Sequence, residues 1–296
     1  MGLNVLGGTR GEPVFGAATN GGAGVKRILV REPGSQLDDG IVTYVAREPV
    51  DLALAQRQWT TYVETLTKAG WQAVVVPLDA PCPDSVFIED PVFVYRDIAI
   101  LTRPSMLRRR FEVLGLDTSL GALGYSIHKI EAPGTLEGGD LLPVGNDIYV
   151  GFGGRSNAEG IGQLRAILEP TGANIVPVPM GPAVHLKSAV TSLPDGSFIG
   201  YPPALADIGI FPKLYEVPEL QASNVVVLGD NKVLIAANCV RSAALIERLG
   251  FDLVSVDISE FQKREGDVSC LSVRLPELAV TPLRSSAFDE VDALTF

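Results

Sequence analysis

Histidine is almost missing from this chain of 296 residues, which has only His128 and His185, and cysteine is nearly as scarce, with Cys82, Cys239 and Cys270. Two imidazoles and three widely spaced thiols make neither a zinc site nor a disulfide framework, and they point to a reducing compartment. No metal is expected. Positive charge is also in deficit: 24 Lys and Arg face 35 Asp and Glu, for a formal charge of -11. An acidic surface repels phosphate backbones and anionic lipids alike, so neither nucleic acid nor a membrane surface is an expected partner, and acid-rich clefts suit small cations instead. The chain lacks any uninterrupted apolar run of the roughly 18 to 20 residues that a membrane span needs. Its glycine-rich first 25 residues lack the basic start and apolar core of an export signal. A soluble, cytoplasmic protein is expected.

What the chain has instead is recurrence. About every 40 to 50 residues, an apolar strand opening, a Gly/Asp/Asn turn and a second apolar strand return, a period that marks stacked or radially arranged supersecondary units. The pieces are FIEDPVFVYRDIAIL, TLEGGDLLPVGNDIYVG, VHLKSAVTSLPDGSFIG, SNVVVLGDNKVLIAA and GDVSCLSVRL. Helical spacing follows several of them: Leu52, Leu54, Trp59, Val63 and Leu66 form one apolar face up to Gly70, and further helices are predicted around Arg108 to Leu114, Asn157 to Leu168 and Arg241 to Leu249. In the fourth unit the pattern is looser. The predicted fold is α/β, five ββαβ modules in a ring, with DVSCLSVRL closing the first module. One domain over residues 26–275 is expected, flanked by a flexible extension at 1–25 and a tail at 276–296.

Most unit openings carry a polar side chain, and equivalent positions in a closed radial array converge on its axis. Glu89, Asp90, Glu137, His185 and Cys270 could therefore meet, although they are far apart in sequence. Each has a plainer reading. A lone cysteine on a central strand is usually a small buried hydrophobe, and a reactive one needs a base or a positive neighbour. The plain reading of His185 is a core imidazole that satisfies a hydrogen bond, while His128, on an alternating strand away from the openings, reads as structural or exposed. Glu89 and Asp90 lie between the apolar runs SVFI and PVFV, so at least one should face a core and need a cationic partner, which no adjacent arginine supplies. Glu137 precedes two glycines that permit close backbone approach, where a carboxylate can hold a histidine or bind a guanidinium. The plain alternative there is a Gly-rich turn. Asp84 reads as a cap or turn residue, and Arg109 and Arg155 as solvated or as carboxylate binders.

With these residues assembled, the chain resembles the dimethylarginine dimethylaminohydrolase family of the pentein, or guanidino-group-modifying, superfamily, whose fold is a five-bladed propeller. The resemblance runs from about Arg27 to Leu275 and is carried by PDSVFIEDPV, LTRP, EAPGTLEGGD, GRSNAEG, HLKS and SEFQKREGDVSCLS in that order. It implies that Cys270 is a nucleophile, His185 a general acid and base, and Glu137 the group that orients or charges the histidine. It also implies a guanidinium pocket of Glu89 and Asp90 with Asp84 and Phe87, a grip on the substrate's amino-acid end by Arg109 and Arg155, and a lid loop carrying Ile41. No cofactor is implied, and a homodimer is left open. The chain departs from the family at Arg264-Glu265-Gly266, where an aliphatic residue followed by Asp-Gly is usual. Arg264 is thereby expected to place a cation near the substrate's main-chain end.

The implied reaction is hydrolysis of Nω-methylated arginines to citrulline and a methylamine through a covalent S-alkylthiouronium. Three alternatives share the fold: an arginine deiminase, an amidinotransferase and a non-catalytic binding propeller. The first usually has an aspartate two residues after the histidine, where this chain has Lys187. The last lacks the Cys, His and carboxylate set present here.

Overall fold

Five times over, the recurring sequence unit folds as a small three-stranded sheet in the computed structural model, which describes residues 25–77 and 82–278. Strand β1 (Arg27–Val30) pairs in parallel with β2 (Gln72–Val75). The next sheets each begin with an antiparallel pair and add a parallel third strand. They are β3 (Val92–Tyr95), β4 (Ile98–Leu101) and β5 (Ser126–Lys129), then β6 (Leu141–Val144), β7 (Asp147–Phe152) and β8 (Asn174–Pro179). The order repeats in β9 (Val190–Ser192), β10 (Phe198–Gly200) and β11 (Leu214–Glu216), and in β12 (Val226–Gly229), β13 (Lys232–Ala236) and β14 (Asp252–Val256). The last strand, β15 (Ser272–Leu275), returns antiparallel onto β1, so the first sheet joins both ends of the array and the α/β ring closes.

A parallel pair needs a crossover, and in four modules a helix provides it. These are α1 (Leu52–Lys68), α2 (Leu116–Ala122), α3 (Ala158–Leu168) and α4 (Val240–Arg248). Asp51 caps α1 by accepting from the Leu54 N–H at 2.9 Å, and Ala55, Trp59, Tyr62 and Leu66 bury its inner face at helical spacing. In the fourth module only 3-10 turns join β10 to β11, which accounts for the looser sequence pattern there. A further single turn, α5 (Ser259–Gln262), precedes the closing strand. The sheets pack through apolar clusters shared between neighbours. Phe93, Ile100, Leu141, Ile148 and Val150, for example, join the second and third modules beneath Ile161 and Leu164 of α3.

Two sequence expectations change. The helix expected around Arg108 to Leu114 is a 3-10 helix, Leu107–Val113, with α2 following it. Its threefold repeat eclipses residues three apart, and Arg109 and Glu112 form a buried pair on that geometry. Residues 88–91 of the expected strand FIEDPVFVY are turns, and pairing begins only at Val92. Pro91, without an N–H to donate, marks that boundary.

Every inner strand is thus preceded by a tight turn at the same end of the ring: residues 88–91, Gly138–Asp140, Leu186–Ser188, Leu220–Ser223 and residues 268–271. Hydrogen bonds run round the circle of turns. Gly138 N donates to Asp90 O at 2.9 Å, Leu186 N to Asp140 Oδ1 at 3.0 Å, Asn224 Nδ2 to Lys187 O at 3.0 Å, Ser269 N to Asn224 Oδ1 at 2.8 Å and Glu89 N to Cys270 O at 3.3 Å. The expected extensions at 1–25 and 276–296 lie outside the described residues except for Val25 and for Pro276, Glu277 and Leu278. No helix among the described residues is long and apolar enough to cross a membrane.

Candidate active site

The turns before β6 and β9 bring a carboxylate and an imidazole together. His185 Nε2 lies 2.7 Å from Glu137 Oε2, and its Nδ1 lies 3.6 Å from Asp90 Oδ1. The ring rests on the backbone of Gly139, where an added Cβ would stand 2.6 Å from the imidazole, so only glycine fits. Burial alone would lower the pKa of His185, but Asp90, Glu137 and Asp140 raise it above the ordinary value. Burial alone would likewise raise the pKa of Glu137, but the His185 hydrogen bond, Arg109 and Arg155 hold it low. An imidazolium and carboxylate pair results. Asp140 serves as the support of this pair: it accepts from Ser156 Oγ at 2.6 Å and from Leu186 N, and burial pushes it up to about 6.

Cys270 enters from the turn before β15 and is 7% exposed. Its Sγ accepts from Asp267 N at 3.4 Å. Burial raises its pKa well above the usual thiol range, and Glu89, Asp90 and Asp267 push in the same direction. Both effects disfavour the thiolate at rest. Beside it, Asp267 is itself buried, and its carboxyl is pushed up to about 7.

A cavity of about 30 Å³ adjoins both groups and is lined by Asp84, Phe87, Asp90, Arg109, Arg155, His185, Arg264 and Cys270, with Ile41 among the residues above it. Phe87 packs against Gly266, where an added Cβ would stand 2.0 Å from its Cε1. Asp84 Oδ1 accepts from Ile41 N at 2.9 Å, while its buried Oδ2 has no hydrogen-bond partner among the described residues. Arg155 approaches Glu137 Oε2 at 3.8 Å and, among the described residues, otherwise makes only a long, 3.4 Å contact with Thr43 Oγ1.

Three residues sit differently from the sequence expectation. Arg109 is buried, not solvated: its Nε and Nη2 donate to the two oxygens of Glu112 at 2.9 Å, and its Nη1 donates to Asp90 Oδ2 at 2.7 Å. It supplies the cation that the sequence neighbourhood of Asp90 lacks, because desolvated carboxylates persist only when paired. Glu89 does not line the cavity. Its oxygens accept from Lys187 Nζ and, at 2.8 Å, from Ser269 Oγ, at the boundary with a separate cavity of about 550 Å³ between the inner strands. Arg264 is not offered to a ligand as a loose cation. Its guanidinium is fully buried and donates to the carbonyls of Leu37, Asp38, Glu48 and Lys263 and to the Asp38 carboxylate.

In the sequence Asn224 stands out only, with Ser223, as a polar residue at a unit opening, and Asp140 and Glu265 have no expected role; the side chains of Asp140 and Asn224 bond across the circle of turns. The place of Asp140 beside a repeated opening is the signal that could have found it. One group among the described residues is arranged as metal ligands are: Asp90, Glu137 and His185, whose ligating atoms lie within 4.8 Å of one another. Their oxygens already face the guanidinium of Arg109, that of Arg155 and a histidine with raised pKa. Those cations occupy the field that a dication would need.

Compared with known proteins, the chain is 49% identical over 253 residues to an N(G),N(G)-dimethylarginine dimethylaminohydrolase of Streptomyces coelicolor, covering 86% of this chain and 98% of that one. The chain belongs to the dimethylarginine dimethylaminohydrolase family. A dimethylarginine dimethylaminohydrolase of Pseudomonas aeruginosa is 35% identical over 258 residues, covering 84% of this chain and 99% of its own. A solved structure of the Pseudomonas aeruginosa dimethylarginine dimethylaminohydrolase, a cysteine-to-serine mutant complexed with citrulline, superposes with a TM-score of 0.78 at 33% identity, covering 86% of this chain and all of that one. No family model matches the chain. The membership upholds the resemblance read from the ordered motifs, and the propeller-like arrangement of five modules is the fold that the dimethylarginine dimethylaminohydrolases share.

Proposed function

We propose that this chain hydrolyses Nω-methylated arginines to citrulline and a methylamine. The observation that carries the reading is the shared cavity of Cys270, His185 and Asp90 in a chain of this family. A guanidinium is a poor electrophile, so the nucleophile must be held in line with its central carbon while the leaving amine receives a proton. Asp90 is the carboxylate that faces the cavity and holds the cation by charge-assisted hydrogen bonds. Glu89 acts at one remove, holding Ser269 beside Cys270. The bound cation lowers the thiol pKa, the proton of Cys270 passes to solvent, and the thiolate bonds to the guanidinium carbon while a carbon–nitrogen π pair moves onto nitrogen, which gives a neutral tetrahedral adduct. The carbon–nitrogen bond then breaks as His185 delivers its Nδ1 proton to the departing dimethylamine or methylamine, leaving an S-alkylthiouronium on Cys270. Neutral His185 next takes a proton from water as the oxygen attacks that carbon, and the carbon–sulfur bond breaks to release citrulline. Glu137 stabilises the imidazolium in each protonated state.

The amino-acid end of the substrate falls to Arg155, which has little else to bind, with Arg109 contributing an N–H from the wall. Asp84 lines the same cavity, with its Oδ2 3.7 Å from Nη2 of Arg108, and adds negative charge on the side where a cationic group would lie. No cofactor enters any step. Citrulline release from asymmetric dimethylarginine, monomethylarginine and arginine, measured side by side, tests the reading. Turnover of the methylated substrates is expected, and turnover of arginine alone would move the chain to deiminase chemistry.

A further inference from the structure

Segment 37–48 reaches the cavity through Ile41, which lines it, and through Thr43, whose Oγ1 meets Arg155, and the pair Arg264-Glu265 grips this segment from both sides. The Glu265 carboxylate accepts from the consecutive N–H groups of Thr43, Tyr44 and Val45, at 2.8 Å for Thr43 and 3.0 Å for Val45. The neighbouring Arg264 holds the two ends of the same segment through the carbonyls of Leu37, Asp38 and Glu48. Glu265 adopts φ 59°, a left-handed conformation uncommon for a non-glycine residue, and this places adjacent side chains on opposite parts of one loop. Residues 43–49 are otherwise exposed, and no strand or helix restrains them.

The cavity beneath holds about 30 Å³, roughly one water, whereas small-molecule sites run to several hundred Å³. No amino-acid-sized ligand fits while the segment is in place. We propose that Arg264 and Glu265 are positioning residues that clasp segment 37–48 over Cys270, so that the clasp must open and re-form in every catalytic cycle. Closure also fixes two groups of the cavity wall, because Ile41 N meets Asp84 and Thr43 Oγ1 meets Arg155. The clasp builds on the proposed function but can be examined without any substrate.

The experiment is the rate of iodoacetamide alkylation of Cys270 at one pH in the wild type, Glu265→Ala, Glu265→Gln and Arg264→Leu, with Tm measured alongside. Removing a negative charge and removing a positive charge shift a nearby thiol pKa in opposite directions, whereas opening the clasp exposes the sulfur in both cases. At least a tenfold acceleration is expected in Glu265→Ala and in Arg264→Leu, with Glu265→Gln, which keeps an acceptor oxygen, between Glu265→Ala and wild type. Rates that move in opposite directions, or do not move, in folded variants would overturn the clasp. Should a variant fail to fold, wild-type amide hydrogen exchange decides: Thr43, Tyr44 and Val45 must exchange more slowly than Ala46, and equal rates overturn it. Failure to hydrolyse methylarginine would remove the proposed substrate and leave this result standing.

Discussion

Glu137 and His185, 48 residues apart in the chain, face each other at 2.7 Å, with the carboxylate wholly buried. The pair keeps a proton on the imidazole against the desolvation that would remove it, and under the proposed function that proton is the general acid's.

Glu137→Gln should therefore lower the pKa of His185 and reduce kcat about 10²-fold or more. The basic limb of the kcat profile, which reports His185 losing its proton, should move to lower pH. Stability responds through the same proton. With its folded-state pKa raised, His185 contributes stability that is fully present below about pH 6.5. That contribution is lost as pH rises through the raised folded value, and the variant should show less of this decline. An unchanged basic limb in the variant would show that Glu137 does not charge His185.

Under the proposed function, Cys270→Ser should abolish turnover and still bind methylarginine, because binding is there assigned to Asp90 and Arg155 and not to the sulfur. Isothermal titration alongside citrulline release checks both halves. Retention of more than a few per cent of wild-type turnover would reject the nucleophile assignment.

The thiol of Cys270 should be neutral in the resting protein and ionise with substrate. Burial, Glu89, Asp90 and Asp267 all raise its pKa. A bound guanidinium brings positive charge beside the sulfur and should lower it. Alkylation should be slow through neutral pH, and its pH profile should shift down when a small non-reactive guanidinium is present. A thiol pKa well below about 8.5 without ligand would instead indicate a preformed thiolate and imidazolium.

Arg155→Ala should raise KM by roughly 10- to 150-fold with little change in kcat, the loss of a charge-assisted contact worth about 1.5–3 kcal/mol. Agmatine, which lacks the α-carboxylate, is the control. If agmatine binds the wild type as tightly as the amino-acid substrate does, Arg155 cannot hold the carboxylate.

Lys187→Met should leave Glu89 buried beside the axis without its cation, at a cost of about 3–5 kcal/mol. The drop in Tm should be of order 10 °C, and adding Glu89→Gln should recover much of it. A double variant no more stable than Lys187→Met would show that the pair contributes nothing as a pair.

Local pattern alone determined the five modules, their inner strands and the placing of a polar residue at each opening. Strand periodicity, turn residues and the repeat spacing are short-range properties that the chain displays directly. What only the tertiary structure decided is direction and partnership. Glu89 and Asp90 are neighbours in sequence, yet one meets Lys187 away from the small cavity and the other meets Arg109 and lines it. Arg109 turned inward because a 3-10 turn set Glu112 beneath it. Arg264 and Glu265 took hold of a segment more than 200 residues earlier in the chain. Each of these outcomes depends on which buried charges need neutralising once the ring has closed, and desolvation does not exist until distant modules have packed together.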